Sequence, residues 1–196
     1  MKPTYTDAGA DISKCGRYRY RLWREWRGTH DPKNWHWVSS GRSLVLDRSG
    51  NPLGHPKSCV FVMLNPSTAD GSHDDATIKR CVEFARRWKY ERLEVVNLFA
   101  YRATIPEELF RLNLDEAVGV DNMTAVENAT MTLDTGLVVC AWGNHGSYLG
   151  QNQTVVGWMG SAKLYSLGVT ASGQPKHPLY LPNDTRLRRF NTKVVV

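Results

Sequence analysis

The run Cys59-Val60-Phe61-Val62-Met63-Leu64, closed by Asn65-Pro66, constrains this chain more than any other segment. A strand with one face in water would alternate apolar and polar residues. Six consecutive apolar residues instead mark a strand buried on both faces. Pro66 has no N–H to give a neighbouring strand, so the strand ends there. A sheet covered on both sides needs helices on both sides, and the rest of the chain alternates accordingly. Asp74 or Asp75 caps a helix whose apolar positions Ile78, Cys81, Val82, Ala85 and Trp88 follow helical spacing. Leu93 to Leu98 reads as a second strand, and Pro106-Glu107 opens a short helix. A helix over 121–133 leads to a third buried strand, Leu137 to Trp142, stopped by Gly143. A helix over 147–159 precedes a fourth strand, Lys163 to Leu167. The expected fold is a single three-layer α/β/α domain over residues 58–196, with a mostly parallel central sheet and right-handed crossovers.

Residues 1–57 read as an N-terminal basic and aromatic extension packed on that core, one domain overall. Within it, Cys15 to Leu46 is rich in Tyr, Trp and Arg and is broken by Gly28 to Pro32, which suggests a hairpin or two irregular strands. The length of 196 residues suits one domain, and 41% hydrophobic with 22% charged residues excludes disordered and collagen-like classes. No apolar run approaches the roughly 20 residues of a membrane span, and Met1 to Ser13 lacks a secretory apolar stretch. The expectation is a soluble, cytoplasmic protein without a membrane partner. Cys15, Cys59, Cys81 and Cys140 form no Cys-x-x-Cys pair and read as free buried thiols in a reducing compartment.

The formal net charge of +6 favours a polyanionic partner. Arg17, Arg19, Arg21, Arg24 and Arg27 alternate with Tyr18, Tyr20, Trp23 and Trp26, a pattern suited to phosphates and stacked bases. A second basic cluster, Arg186, Arg188, Arg189 and Lys193, lies near the end. Arg19, Arg21, Arg24, Arg102, Lys176 and Arg186 are the expected DNA contacts.

In open α/β sheets the ligand crevice lies beyond the carboxyl ends of the strands. The segments there are 65–75, 97–104, 143–148 and 168–180. They carry Asn65, Ser67, Thr68, Asp70, His73, Asp74, Asp75, Asn97, Arg102, Asn144, His145, Ser147 and His177. His73-Asp74-Asp75 reads as a helix cap rather than a metal site. Ser67, His177 and Asp70 make a triad only on paper, without the Gly-x-Ser-x-Gly elbow. No phosphate loop or dinucleotide fingerprint follows the first strand, so no cofactor is expected.

Val60 to Ser67 resembles the first motif of the uracil-DNA glycosylase superfamily, a hydrophobic strand ending in Gly-x-Asn-Pro or Gly-Gln-Asp-Pro, with Leu64 departing from the family's Gly. Val95-Val96-Asn97-Leu98 is similar to the strand whose Asn reads a flipped pyrimidine. Ala100-Tyr101-Arg102 with Pro106 resembles the sequence that follows it. Val138 to Gly143 is similar to the family's Leu-Leu-Trp-Gly strand, and His177-Pro178-Leu179 to its His-Pro-Ser, with Leu179 in place of Ser. The string Leu-Asn-Pro-Ser-Thr-Ala-Asp, with the later His-Pro-Leu-Tyr-Leu, also resembles a bacterial and phage family of unassigned function.

This resemblance implies a DNA glycosylase that hydrolyses the N-glycosidic bond of an extruded pyrimidine or modified base. Asn65 would position the water and Asp70 would supply a base. His177 would hydrogen-bond the departing pyrimidine where charge develops. Asn97 would read the base edge, with Ser67 beside it and Phe99 or Tyr101 stacked on the ring. The partner would be DNA, single- or double-stranded. Two rival readings are an enzyme acting on a free or modified nucleotide and a nucleic-acid-binding module without catalysis.

Overall fold

The computed structural model describes residues 5–26, 35–37, 43–45 and 57–191. The Gly28–Pro32 turn, Arg27 and Lys193 lie outside the described residues. The apolar run forms β5 (Ser58–Met63), every residue of which is buried. It pairs in parallel with β6 (Arg92–Asn97) on one side and β7 (Thr135–Cys140) on the other. β8 (Leu164–Ser166) adds to β7 in parallel, and β9 (Arg188–Arg189) closes that edge antiparallel. At the other edge β2 (Arg19–Glu25) pairs antiparallel with β6, and β1 (Asp7–Ile12) with β2. The seven-stranded order is β1-β2-β6-β5-β7-β8-β9. Four central strands are therefore parallel, as expected, and the three flanking strands are antiparallel. A separate two-stranded hairpin joins β3 (Trp35–Trp37) to β4 (Ser43–Val45).

Residues 7–25, read from sequence as part of an extension, supply two strands of the central sheet itself. Their charged and aromatic residues hide an apolar rhythm, because Arg24 and Glu25 are buried along with Leu22.

Side chains of β5 alternate between two cores. Cys59, Phe61 and Met63 pack with α1 (Ala76–Arg87) through Ile78, Cys81, Val82 and Phe84. Val60, Val62 and Leu64 pack with α4 (Asn122–Thr130) and α5 (Gln151–Trp158) through Val126, Ala129 and Val155. Fully burying each such large apolar side chain is worth about 1.5–3 kcal/mol. Helices thus cover both faces. Two short helices, α2 (Pro106–Leu109) and α3 (Leu114–Val118), bridge β6 to α4. The second was not anticipated, although Asn113 and Glu116 form its reciprocal capping box.

Asp75, not Asp74, caps α1, its Oδ1 accepting from the Ile78 N–H at 2.8 Å. β7 stops where Gly143 turns the chain at φ +74°, a conformation other residues adopt only with strain. Cys59, Cys81 and Cys140 are buried, whereas Cys15 is exposed, contrary to the reading of four buried thiols. No helix among the described residues is long and apolar enough to cross a membrane.

Candidate functional site

The chain leaves β5 for β6 on one side by way of α1, and then reaches β7 on β5's other side by way of α4. The strand order reverses at β5, and a crevice opens there beyond the strand ends, as the rule for open sheets requires. A cavity of about 480 Å³ occupies that position, within the size range of small-molecule sites. Asn65 and Ser67 reach it from the end of β5, Asn97 from the end of β6, Trp142 and Gly143 from beyond β7, and His177 from the closing loop. Four of the seven residues expected to act on the base or its water, Asn65, Ser67, Asn97 and His177, therefore share one cavity.

Asn97 is fully buried, and neither its Oδ1 nor its Nδ2 has a hydrogen-bond partner among the described residues. Only its backbone is engaged, the carbonyl accepting from Asn122 Nδ2 at 3.1 Å. Leaving a buried polar group unpaired costs about 1–3 kcal/mol, so such groups in folded proteins mark a role other than stability. Asn65 is oriented differently. Its Nδ2 donates to the carbonyls of Pro66 at 3.1 Å and Ala103 at 2.8 Å, which commits both amide hydrogens and leaves Oδ1 as a free acceptor. His177 Nδ1 accepts from the Leu179 N–H at 3.3 Å. In the neutral ring that bond places the proton on Nε2, making it the donor. Burial pulls the imidazole below its ordinary value, partly offset by the charge of Asp75, so the neutral form is favoured.

Trp142 forms a wall of the cavity and is locked by Nε1 donating to Gln174 Oε1 at 2.8 Å. The turn Asn144–Gly150 lies across it because residue 146 is glycine. A Cβ there would stand 1.9 Å from the indole.

Other expected site residues lie elsewhere. Asp70 does not line the cavity. Its Oδ1 accepts from the backbone N–H groups of Ser72 and His73, both at 2.8 Å. These bonds hold the carboxyl well below its usual range, which unsuits it as a proton acceptor and makes it a turn residue. Phe99 is fully buried in the core beneath α4 and α5, its ring 5.9 Å from that of Tyr148. Tyr101 packs edge-on against Tyr18 at 5.9 Å. Neither aromatic lines the cavity: beyond Asn97 the chain continues alongside the end of β5, the N–H groups of Leu98 and Phe99 donating to Met63 and Leu64 carbonyls, and the Phe99 ring enters the core under α4 and α5.

The expected phosphate track along β2 also dissolves. Arg24 is 1% exposed and pairs with Asp74 at 2.7 Å, while its Nη atoms donate to the carbonyls of Gly9, Trp23 and Asp70. It clasps the loop 70–74 onto the sheet. Arg21 pairs with Asp11 at 2.9 Å and Glu94 at 3.6 Å. Arg102 donates to the Gly16 carbonyl at 3.2 Å. Lys176 and Arg186 are exposed and flank a second groove with Arg188.

Arg19 is 2% exposed and lines the cavity itself. Its position comes from a bulge. Asp11 faces Arg21 but Ile12 faces Arg19, so Tyr20 is an extra residue on β2. The bulge turns Tyr20 toward Gly119 on the opposite face and brings Arg19 to the side of Leu22 and Arg24. Sequence reasoning read Arg19 as a surface cation, and nothing in the sequence signals the bulge. Asp75, among the strand-end residues but favoured from the sequence as a helix cap over a catalyst, both caps α1 and lies on the cavity wall. Its Oδ1 serves the cap and its Oδ2 has no protein partner among the described residues. The same residues contain no cluster of three or more His, Cys, Asp or Glu that would hold a metal ion.

No curated protein and no solved structure matches the chain. A family model described as protein of unknown function (DUF1643) matches residues 44–179, which take in β5 to β8 and all of the cavity's walls except Arg19 and Tyr180. The switch-point cavity with its unpaired amide is thus built mostly from the matched segment, and the chain belongs to the DUF1643 family.

Proposed function

We propose that this protein is an N-glycosidic hydrolase of DNA glycosylase type, with a fold like that of the uracil-DNA glycosylase superfamily, acting on a pyrimidine or modified base extruded into the strand-end cavity. The observation that carries the reading is Asn97: a fully buried amide with one free donor edge and one free acceptor at a cavity wall. Such an amide matches the edge of a nucleobase, which presents donors and acceptors side by side.

The other residues fit around it. Asn65 Oδ1, its amide hydrogens already committed, accepts a hydrogen bond from a water and so orients it below the sugar. The water oxygen bonds to the anomeric carbon, the carbon–nitrogen bond breaks, and its electron pair leaves with the base. The water's proton goes to Asp75, whose Oδ2 is free, in the role that Asp70 cannot fill. Negative charge collects on a carbonyl of the departing base, where the Nε2–H of a neutral His177 strengthens its hydrogen bond. Interactions that tighten only in the transition state raise turnover.

One observation favours the free-nucleotide reading beside it. Arg19 and Arg24 are buried and Arg21 is ion-paired, so β2 offers no row of free cations to a DNA backbone. Incubating the protein with oligonucleotides carrying single uracil, hypoxanthine or 5-substituted pyrimidine sites, then treating with alkali, separates the readings. Strand breaks dependent on Asn97 and His177 support the glycosylase. Base release from nucleosides or nucleotides alone moves the substrate to the free pool, and DNA binding without breaks points to a binding module. Neither release nor binding with any substrate defeats the proposal.

A further inference from the structure

Arg19 is a charged group buried at the cavity wall without an ion pair. Its Nη1 donates to the Ala69 carbonyl at 2.7 Å, a neutral partner. Its Nε is buried with no hydrogen-bond partner among the described residues. Among the described residues it forms no salt bridge, and Asp75, the carboxylate on the same wall, acts on it only at longer range. Taking a guanidinium out of water without a counter-charge costs several kcal/mol, and proteins keep such groups where an anion later arrives. A β-bulge spends one residue of β2 to turn this side chain inward.

We infer that the cavity binds an oxyanion against Arg19, so that its ligand joins a heterocycle facing Asn97 to a carboxylate or phosphate group facing the guanidinium. The free Nε–H edge of a guanidinium is the edge that grips two oxygens of one anion at once. Thr77, in the first turn of α1, lines the same wall. The positive end of that helix is already capped by the Asp75 carboxylate, so the attraction for an anion comes from the Arg19 guanidinium. Burial draws Arg19 down to about 10, which still leaves it charged at neutral pH. The other ionisable groups on the wall are Asp75, His177, His145 and Tyr180. Only the first is a carboxyl group, and its Oδ1 is held by the helix cap.

The heterocycle half of this inference rests on the base-site reading given above, while the anion half does not. Two matched pairs of probes identify the source of the charge: 2′-deoxyuridine with its 5′-monophosphate, and uracil with uracil-5-carboxylate. Calorimetric titration of the full chain should give roughly tenfold to a hundredfold tighter binding for the charged member of one pair. The pair that shows it assigns a phosphate or a ring carboxylate. In Arg19→Met, which keeps the stem and removes the charge, that preference should vanish.

Inorganic phosphate and acetate alone, followed at the Arg19 Nε–H resonance of the parent protein, need neither a base nor a folded variant. A shift of that resonance without binding of any base would keep the anion site and sink the base reading. Equal affinity within both pairs together with an unmoved Nε–H resonance, or a charge preference that survives in Arg19→Met, would overturn the anion site.

Discussion

Asn97→Leu should make the protein more stable while destroying base binding. The amide is fully buried and neither of its polar atoms has a protein partner among the described residues, so folding gives them no protein bond in return for the water they lose. The cost of one such group is about 1–3 kcal/mol, and an apolar side chain does not incur it. Leucine is bulkier than asparagine, but the extra volume can enter a cavity of about 480 Å³ that Asn97 already lines. The backbone bond from Asn122 to the Asn97 carbonyl is untouched. A chain of this size gains about 2–4 °C in Tm per kcal/mol, so the expected rise is roughly 2–12 °C. Differential scanning calorimetry of parent, Asn97→Leu and Asn97→Ala, all without ligand, measures it. If both variants melt below the parent, the amide has a partner in the folded protein and the case for a ligand-reading group fails.

Arg24→Ala breaks a buried ion pair and frees four backbone carbonyls, including those of Asp70 and His73. It should cost about 3–5 kcal/mol in chemical denaturation, and a loss below 1 kcal/mol would show that the clasp is not structural. His177 sits below its ordinary value because burial disfavours the charged ring. Its contribution to stability should be full above about pH 6.5, the unfolded value, and should shrink as pH falls toward the folded one, where the unfolded chain alone takes up the proton. Stability measured between pH 5 and 8 should vary less in His177→Asn, and an unchanged profile would contradict the burial argument. The exposed thiol of Cys15 is drawn down to about 7 by its hydrogen bond with Ser13 and by Arg17, while burial pushes Cys59, Cys81 and Cys140 up. Iodoacetamide at pH 7.5 should label Cys15 alone in the native protein, and peptide mapping that finds a second label would refute this.

Much of the fold is legible because β5 advertises burial on both faces and its neighbours repeat the pattern. The same reasoning reaches the cavity. Strands ending at Asn65, Asn97 and Trp142 must deliver those residues to one crevice if β5 is the switch point. Aspartate at the head of an apolar helical repeat narrows the cap to Asp74 or Asp75, and the structure chooses Asp75. Other features depend on contacts that no local pattern carries. Arg24 is satisfied by carbonyls from a loop nearly fifty residues away, so its charge gives no warning of its burial. The inward turn of Arg19 comes from a bulge set by the pairing of β1 with β2. Phe99 follows Asn97 by two residues but belongs to the core, because the strict alternation of faces ends at Asn97 and both Leu98 and Phe99 pack on the side of α4 and α5. β9, only two residues long, is a strand solely through its pairing with β8.

The claim that Asn97 reads a base is tested most directly at its side-chain amide. Recording the Asn97 Nδ2–H₂ resonances during titration with 2′-deoxyuridine 5′-monophosphate and other nucleotides should show one of them moving both hydrogens to saturation. The same ligand should leave the Asn122 amide, bonded to backbone carbonyls, nearly still. An Asn97 amide that stays unmoved through the whole set, while any of those ligands binds elsewhere on the protein, would contradict the account.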